Sequence, residues 1–242
     1  MSLIPEEISN RFHALVDEIA TRGKNRIDII AVTKRHPVDI FSICETAGIK
    51  HIGENRVQEL REKLDVASST ISKFKLHFIG ALQTNKIKYI HTEIQSFDAL
   101  SSSSQIHEFE KKRKDMQLPP VEVLLQINST SEDQKSGLSL DDFNGILDMV
   151  DACIRASSIR LKGLMTMGPT PGPGFQPGNR EYDIQTNAAF EKTRILFEQL
   201  QVERDISLSR LSMGMTHDYR IAIDQGATEI RVGSLLFGDR PA

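Results

Sequence analysis

The 242-residue sequence has two cysteines, no tryptophan and three tyrosines. Cys44 and Cys153 lie far apart, in segments that read as helices, and neither CxxC nor metal-ligand spacing occurs. A disulfide framework is thereby excluded; a reduced setting fits, and a cytoplasmic location is expected. No apolar run approaches the length of a membrane helix. The opening Met1-Ser-Leu-Ile-Pro-Glu-Glu7 has neither a basic n-region nor an apolar h-region, so no secretory signal is expected. Charge of one sign is also lacking. A formal net charge of -3 offers no basic field for nucleic acid. The local run Lys111-Lys-Arg-Lys114 reads as a solvated helix end. The seven histidines form no metal motif, and His77, inside an apolar strand, reads as a satisfied core histidine. No Ser-His-Asp order and no paired carboxylates are visible.

What is present is an alternation. Apolar residues make up 39% and charged residues 26%, ordinary for a globular protein that buries its own core. Ile27-Asp-Ile-Ile-Ala-Val-Thr-Lys34 reads as a strand covered on both faces, with one lysine at its carboxyl end. His36-Pro37 ends it, because proline lacks the ladder donor. Further strands are expected over 49–55, 75–82, 94–99, 121–128, 159–167, 208–213 and 229–237. Helices are expected over 5–22 (stopped by Gly23), 38–47, 56–66, 83–90, 101–114, 140–156, 188–204 and 218–225. The Ser- and Thr-rich stretch after Val66 reads as a turn, and the Gly- and Pro-rich segment 168–180 as a mobile loop. Eight strands alternating with helices, at roughly thirty residues per unit, predict a single (β/α)8 TIM barrel over 1–242 with an extra amino-terminal helix. The competing fold is an open doubly wound sheet. It wants a Gly-rich turn after the first strand, where this chain has Lys-Arg-His-Pro.

A barrel gathers the carboxyl ends of its strands on one face. The candidates there are Lys34, Asn55, the region of Gly80, Asn128, Met165, the turn Ser212-Met-Gly-Met-Thr216 and Arg231-Val-Gly-Ser234. Lys34 is either a solvated rim lysine or an amine for Schiff-base chemistry, which needs a desolvated or cationic setting. The turn containing Ser212, Met213, Gly214 and Thr216 precedes a helix, so it is either a phosphate site or a cap with Thr216 or Asp218 as capping residue. Gly214 there permits close backbone approach. Arg231 and Gly233 share a strand face, and an inward arginine needs an acceptor. A cofactor ring nitrogen or a plain carboxylate meets that need. Gly233 and Ser234 offer backbone N–H groups. Asn55 and Asn128 are strand-end amides that either cap a turn or hold a ligand oxygen.

In these blocks the chain resembles the pyridoxal phosphate (PLP) homeostasis family, the YggS/PROSC-like or alanine-racemase-like PLP-binding proteins. The stretches that carry the resemblance begin with Ala31-Val-Thr-Lys34 and Pro37, Gly53-Glu-Asn55 with Gln58-Glu59, and His77-Phe-Ile-Gly80 with Leu82-Gln83 and Asn85-Lys86. They continue through Leu125-Gln-Ile-Asn128, Lys135-Ser-Gly137, Gly163-Leu-Met165, Leu211-Ser-Met-Gly-Met215 with Asp218, and Arg231-Val-Gly233 leading to Phe237-Gly238. They run through nearly the whole chain in order. The resemblance implies a barrel that carries PLP as a Schiff base on Lys34. It implies that Arg231 faces the pyridine nitrogen, and that Ser212, Gly233 and Ser234 hold the phosphate with Met213, Gly214 and Thr216 beside them. Asn55 and Met165 fall in the pocket wall. Thr33 and Thr216 stand where the family often has serine, and both keep the hydroxyl.

An arginine opposite the ring nitrogen leaves that nitrogen unprotonated, so the ring is a weaker electron sink. The two-domain racemases add a β-domain bearing a tyrosine base, for which a chain ending at Ala242 has no room. None of Tyr89, Tyr182 and Tyr219 is placed as a second base. The expected role is therefore intracellular PLP homeostasis: a monomer that buffers the cofactor and delivers it to apo PLP-dependent enzymes, affecting amino- and keto-acid metabolism. Two other readings remain: a single-domain PLP-dependent racemase or lyase, and a barrel for another phosphorylated ligand that leaves Lys34 dispensable.

Overall fold

The structure is a computed structural model, and it describes residues 4–22, 27–130, 132 and 136–238. An amino-terminal helix, α1 (Pro5–Thr21), buries Ile8, Leu15 and Ile19. Pro5 suits its first turn, where the missing N–H is no loss. Gly23 and Lys135 lie outside the described residues. Then β1 (Asp28–Val32), α2 (Ile40–Thr46), β2 (His51–Glu54), α3 (Val57–Ile71) and β3 (Lys75–Phe78) alternate. A 3-10 turn (Thr84–Tyr89) leads to β4 (Ser96–Leu100), α4 (Ser103–Asp115) and β5 (Val121–Asn128). The two-residue β6 (Leu138–Ser139), α5 (Phe143–Arg155), β7 (Ile159–Thr166) and α6 (Arg180–Arg204) follow. The described chain closes with β8 (Arg210–Ser212), α7 (Tyr219–Asp224), β9 (Glu229–Val232) and α8 (Ser234–Phe237).

All the pairings among these strands are parallel. The order β1-β2-β3-β4-β5-β7-β8-β9 returns to β1, with Asp28 opposite Glu229 and Ala31 opposite Val232, so eight strands close a barrel. The short β6 only augments β5 outside that ring. Ile29, Ile30, Ala31 and Val32 are all buried, as a strand covered on both faces requires. The TIM-barrel expectation holds, including the leading helix.

Three local expectations are corrected. The last barrel strand stops at Val232, not 237, because Gly233 (φ -122°, ψ -78°) leaves the extended conformation and opens α8. The helix expected over 188–204 begins eight residues earlier, capped by Asn179, whose side chain accepts from the Glu181 N–H at 2.9 Å. The Ser/Thr-rich stretch after Val66 continues α3 across a kink at Ala67 rather than forming a turn. The segment before α6 is a loop, as expected, and contains a hydrogen-bonded turn: Gly172 and Phe175 exchange backbone bonds of 2.8 and 3.0 Å, and the Phe175 ring packs edge-on against Tyr182.

The barrel's amino-terminal half is filled by charge. Arg210, at the start of β8, donates to Ser96 Oγ (2.7 Å), Asp98 Oδ1 (3.2 Å) and both oxygens of Glu229. Asp98 Oδ2 meets His77 Nδ1 at 2.8 Å, and His77 Nε2 meets His51 Nδ1 at 3.1 Å. These side chains come from β2, β3, β4, β8 and β9, so they meet inside the ring. Burial alone would raise the Asp98 carboxyl, but His77 and Arg210 hold it well below the usual range. Burial, with His77 beside it, depresses His51 to about 4. His77 is the satisfied core histidine expected of it. The charged layer closes the bottom of the barrel and leaves the carboxyl ends of the strands to form a cavity.

Candidate functional site

That cavity measures about 670 Å³, within the range of small-molecule sites. Lys34, Asn55, Met165, Thr216, Arg231, Gly233 and Ser234 all line it. Lys34 stands two residues beyond the end of β1, where alternation returns it to the face of Val32, another lining residue. Asn55 follows β2 directly. Its Oδ1 is buried and without a partner, an acceptor left open beside the cavity. Gly80 lets this strand end come close, since a Cβ there would lie 2.4 Å from the Asn55 carbonyl oxygen.

Arg231 is buried at the floor. It donates to Ser212 Oγ at 2.9 Å and to the Thr166 carbonyl at 2.8 Å, and it pairs with no carboxylate among the described residues. Burial lowers its pKa, against the distant pull of Asp98, Asp218 and Glu229. Among the described residues its acceptors are thus a hydroxyl and a backbone carbonyl rather than a carboxylate. Opposite, Ser234 Oγ donates to Thr216 Oγ1 at 3.3 Å, and Thr216 Oγ1 also accepts from the Leu235 N–H at 3.3 Å.

Ser212, Met213 and Gly214 do not reach the cavity lining. Ser212 is fully buried and spends its oxygen on Arg231. Gly214 has φ +93°, and a Cβ there would lie 2.6 Å from Ala222 Cβ and 2.9 Å from Tyr219 Cα. The close approach that glycine permits is therefore to α7. Asp218 turns its Oδ1 back onto the Met215 N–H at 2.5 Å, holding the turn in shape. Burial raises its carboxyl, opposed by that bond and by Arg231. Asn128 bonds the Glu132 carbonyl at 2.9 Å and so shapes the loop after β5.

Residues 10–241 match the family described as the alanine racemase amino-terminal domain. A relative from Aquifex aeolicus, named pyridoxal phosphate homeostasis protein, is 33% identical over 193 residues, covering 80% of this chain and 78% of its own. This chain belongs to the pyridoxal phosphate homeostasis protein family.

Among solved structures, PipY, the COG0325 family member of Synechococcus elongatus solved with PLP bound, is 26% identical and superposes with a TM-score of 0.78. The alignment covers 96% of this chain and 100% of PipY. Alanine racemase of Clostridium difficile shares the fold alone: 13% identity, TM-score 0.70, covering 96% of this chain and 58% of the racemase.

Three lining residues of this family member were not singled out from the sequence: Gln126, Met167 and His217. Gln126 had a usable signal, an amide two residues before Asn128 in an otherwise apolar strand. Its Nε2 donates to the Ser136 carbonyl at 2.7 Å and ties β5 to the cavity wall. His217 had none, because its approach depends on how the turn folds, whereas Met215 lies within the turn already named as a candidate.

Proposed function

We propose that this chain is a PLP-binding homeostasis protein that holds the cofactor on Lys34. The carrying observation is that one amine, one buried arginine that pairs with no carboxylate among the described residues, and one pair of hydroxyls converge on one cavity. That donor set fits PLP group by group. Bound there, PLP would supply an aldehyde for Schiff-base chemistry with a lysine amine. Lys34 presents the amine. Arg231 presents N–H groups to a ring nitrogen and keeps that nitrogen unprotonated. Thr216, Ser234 and the backbone N–H groups of Gly233 and Ser234 receive the phosphate, with Ser212 acting through Arg231 and with Met213 and Gly214 shaping the turn. Asn55 and Met165 form the wall.

An unprotonated ring nitrogen discourages carbanion chemistry. The function that follows is to buffer PLP and pass it to apo PLP-dependent enzymes, as a monomeric single-domain barrel in the cytoplasm. Among the described residues no helix is long and apolar enough to cross a membrane. The test is an absorbance spectrum of the protein with PLP, before and after borohydride, with the modified lysine mapped by mass spectrometry. Reduction should fix PLP on Lys34, and Lys34→Ala should abolish the band. A wild type that stays colourless with added PLP overturns the reading. A racemase or lyase would exchange the α-hydrogen of a bound amino acid in deuterium oxide; no exchange is expected across a broad panel.

A further inference from the structure

On the side of β1 away from the cavity lies a cluster of charge that no lining residue explains. Lys63, on α3, is 5% exposed. Its Nζ donates to the Thr33 carbonyl at 2.9 Å, to Glu54 Oε1 at 2.7 Å and to Glu59 Oε1 at 2.7 Å. An ammonium has three N–H groups, and all three are used. Glu54 Oε1 also accepts from Thr33 Oγ1 at 2.7 Å, and Glu59 Oε1 also accepts from the Arg35 backbone N–H. Thr33 and Arg35 are the two neighbours of Lys34. The Thr33 N–H is held as well, by the Gly53 carbonyl at 3.1 Å.

Arg35 has φ +64°, the left-handed region that a residue with a Cβ occupies only where its surroundings hold it there. Glu59 is what holds it. The peptide groups on both sides of Lys34 are thus tied to one ammonium. As a stabilising device such a buried cluster is a poor choice, since desolvation offsets most of its attraction. Glu54 Oε2 is even left buried without a partner, and burial raises that carboxyl despite Lys63. As a device for fixing a main-chain direction it is apt: charge-assisted bonds to backbone groups are short and directional.

We propose that Lys63 and Glu59 are positioning residues for Lys34: their ion cluster grips the main chain on both sides of it, aims its amine into the cavity and so slows the release of PLP. This rests on the reading of Lys34 as the PLP-bearing residue. Positioning of a reacting group is worth large rate factors, and a shift of about 1 Å is enough to lose them.

The test compares wild type, Glu59→Ala, Glu59→Gln and Lys63→Met, with Glu62→Ala on the exposed face of the same helix as control. Three quantities are read: the melting temperature, the circular dichroism induced in bound PLP, and the rate of PLP release to a carbonyl trap. Lys63→Met leaves Glu54 and Glu59 unneutralised and is at risk of misfolding, so the Glu59 pair carries the decision. Glu59→Ala should melt near the wild type, lose most of the induced ellipticity per bound PLP and release PLP about tenfold faster, the worth of one charge-assisted bond. Glu59→Gln keeps an acceptor for the Arg35 N–H and should recover most of the ellipticity. Glu62→Ala should match the wild type. If PLP is fixed on Lys34 and Glu59→Ala matches the wild type in ellipticity and release, the cluster is a structural staple and the positioning proposal fails alone. If wild-type Lys34 carries no PLP, both readings fall together.

Discussion

Two buried arginines in this barrel have opposite surroundings, and their neighbours decide what each is for. Arg210 is enclosed by Asp98, Glu229 and Glu122. Its role is to neutralise the buried Asp98 and Glu229 and the half-buried Glu122. Arg210→Met should therefore cost about 3–5 kcal/mol by denaturant unfolding, the usual penalty for stranding a buried charge. Arg231 meets a serine hydroxyl and a backbone carbonyl instead. Arg231→Met should leave a folded barrel with weaker PLP binding, measured by equilibrium dialysis; unchanged affinity would remove Arg231 from the site. The sequence could say that an inward arginine on a strand needs an acceptor, and no more. It could not say which arginine has carboxylates nearby, because Asp98 and Glu229 reach Arg210 only when the ring closes. Thr33 shows the same limit: it was legible as a neighbour of Lys34, while its bond to Glu54 was not.

At the scale of elements, turns and caps do much of the placing. Gly214 looked like an opening for a ligand, and it is instead the point where the β8 turn packs on α7. Gly214→Ala combines a left-handed φ with contacts under 3 Å to Ala222 and Tyr219. It should destabilise the protein by about 2–4 kcal/mol and weaken PLP binding with it, read as a lowered denaturation midpoint. Asp142 caps α5 through the Gly145 N–H at 2.9 Å. Asp142→Ala should cost about 1 kcal/mol and leave PLP binding untouched, since α5 supplies nothing to the cavity. Helix and strand existence was legible from periodicity, whereas the ends were not. The end of β9 depends on the backbone at Gly233, and the start of α6 on Asn179, nine residues before the apolar pattern becomes clear.

For the molecule as a whole, the charged layer under the cavity links stability to pH. The folded state depresses His51 to about 4, through burial and the neighbouring His77. As pH falls, the unfolded chain takes up that proton first, so protonation favours unfolding. The contribution is fully present above pH 6.5 and is lost as pH falls towards 4. Asp98, held below its usual range, adds a loss of the same sign at more acidic pH. The melting temperature should fall across that window, and His51→Gln should flatten the slope between pH 6.5 and 4. A wild-type melting temperature that is level across the window would show that the layer takes up no proton difference.

The sequence by itself determined the alternation of eight strands with helices, and with it the barrel. Burial on both faces leaves a local, periodic mark, and the motif order from Ala31 to Gly238 carried the family. It also named the strand ends where chemistry sits, since a parallel barrel collects them on one side. Tertiary structure alone decided which of those residues share a cavity. Lys34, Asn55, Met165, Thr216, Arg231, Gly233 and Ser234 line it, while Ser212 serves Arg231 and Gly214 serves α7. It alone disclosed the grip of Lys63 and Glu59 on the chain around Lys34. The physical reason is range. Propensity and alternation act between near neighbours in the chain, but charge neutralisation and hydrogen bonding act between groups that only the closed ring brings together.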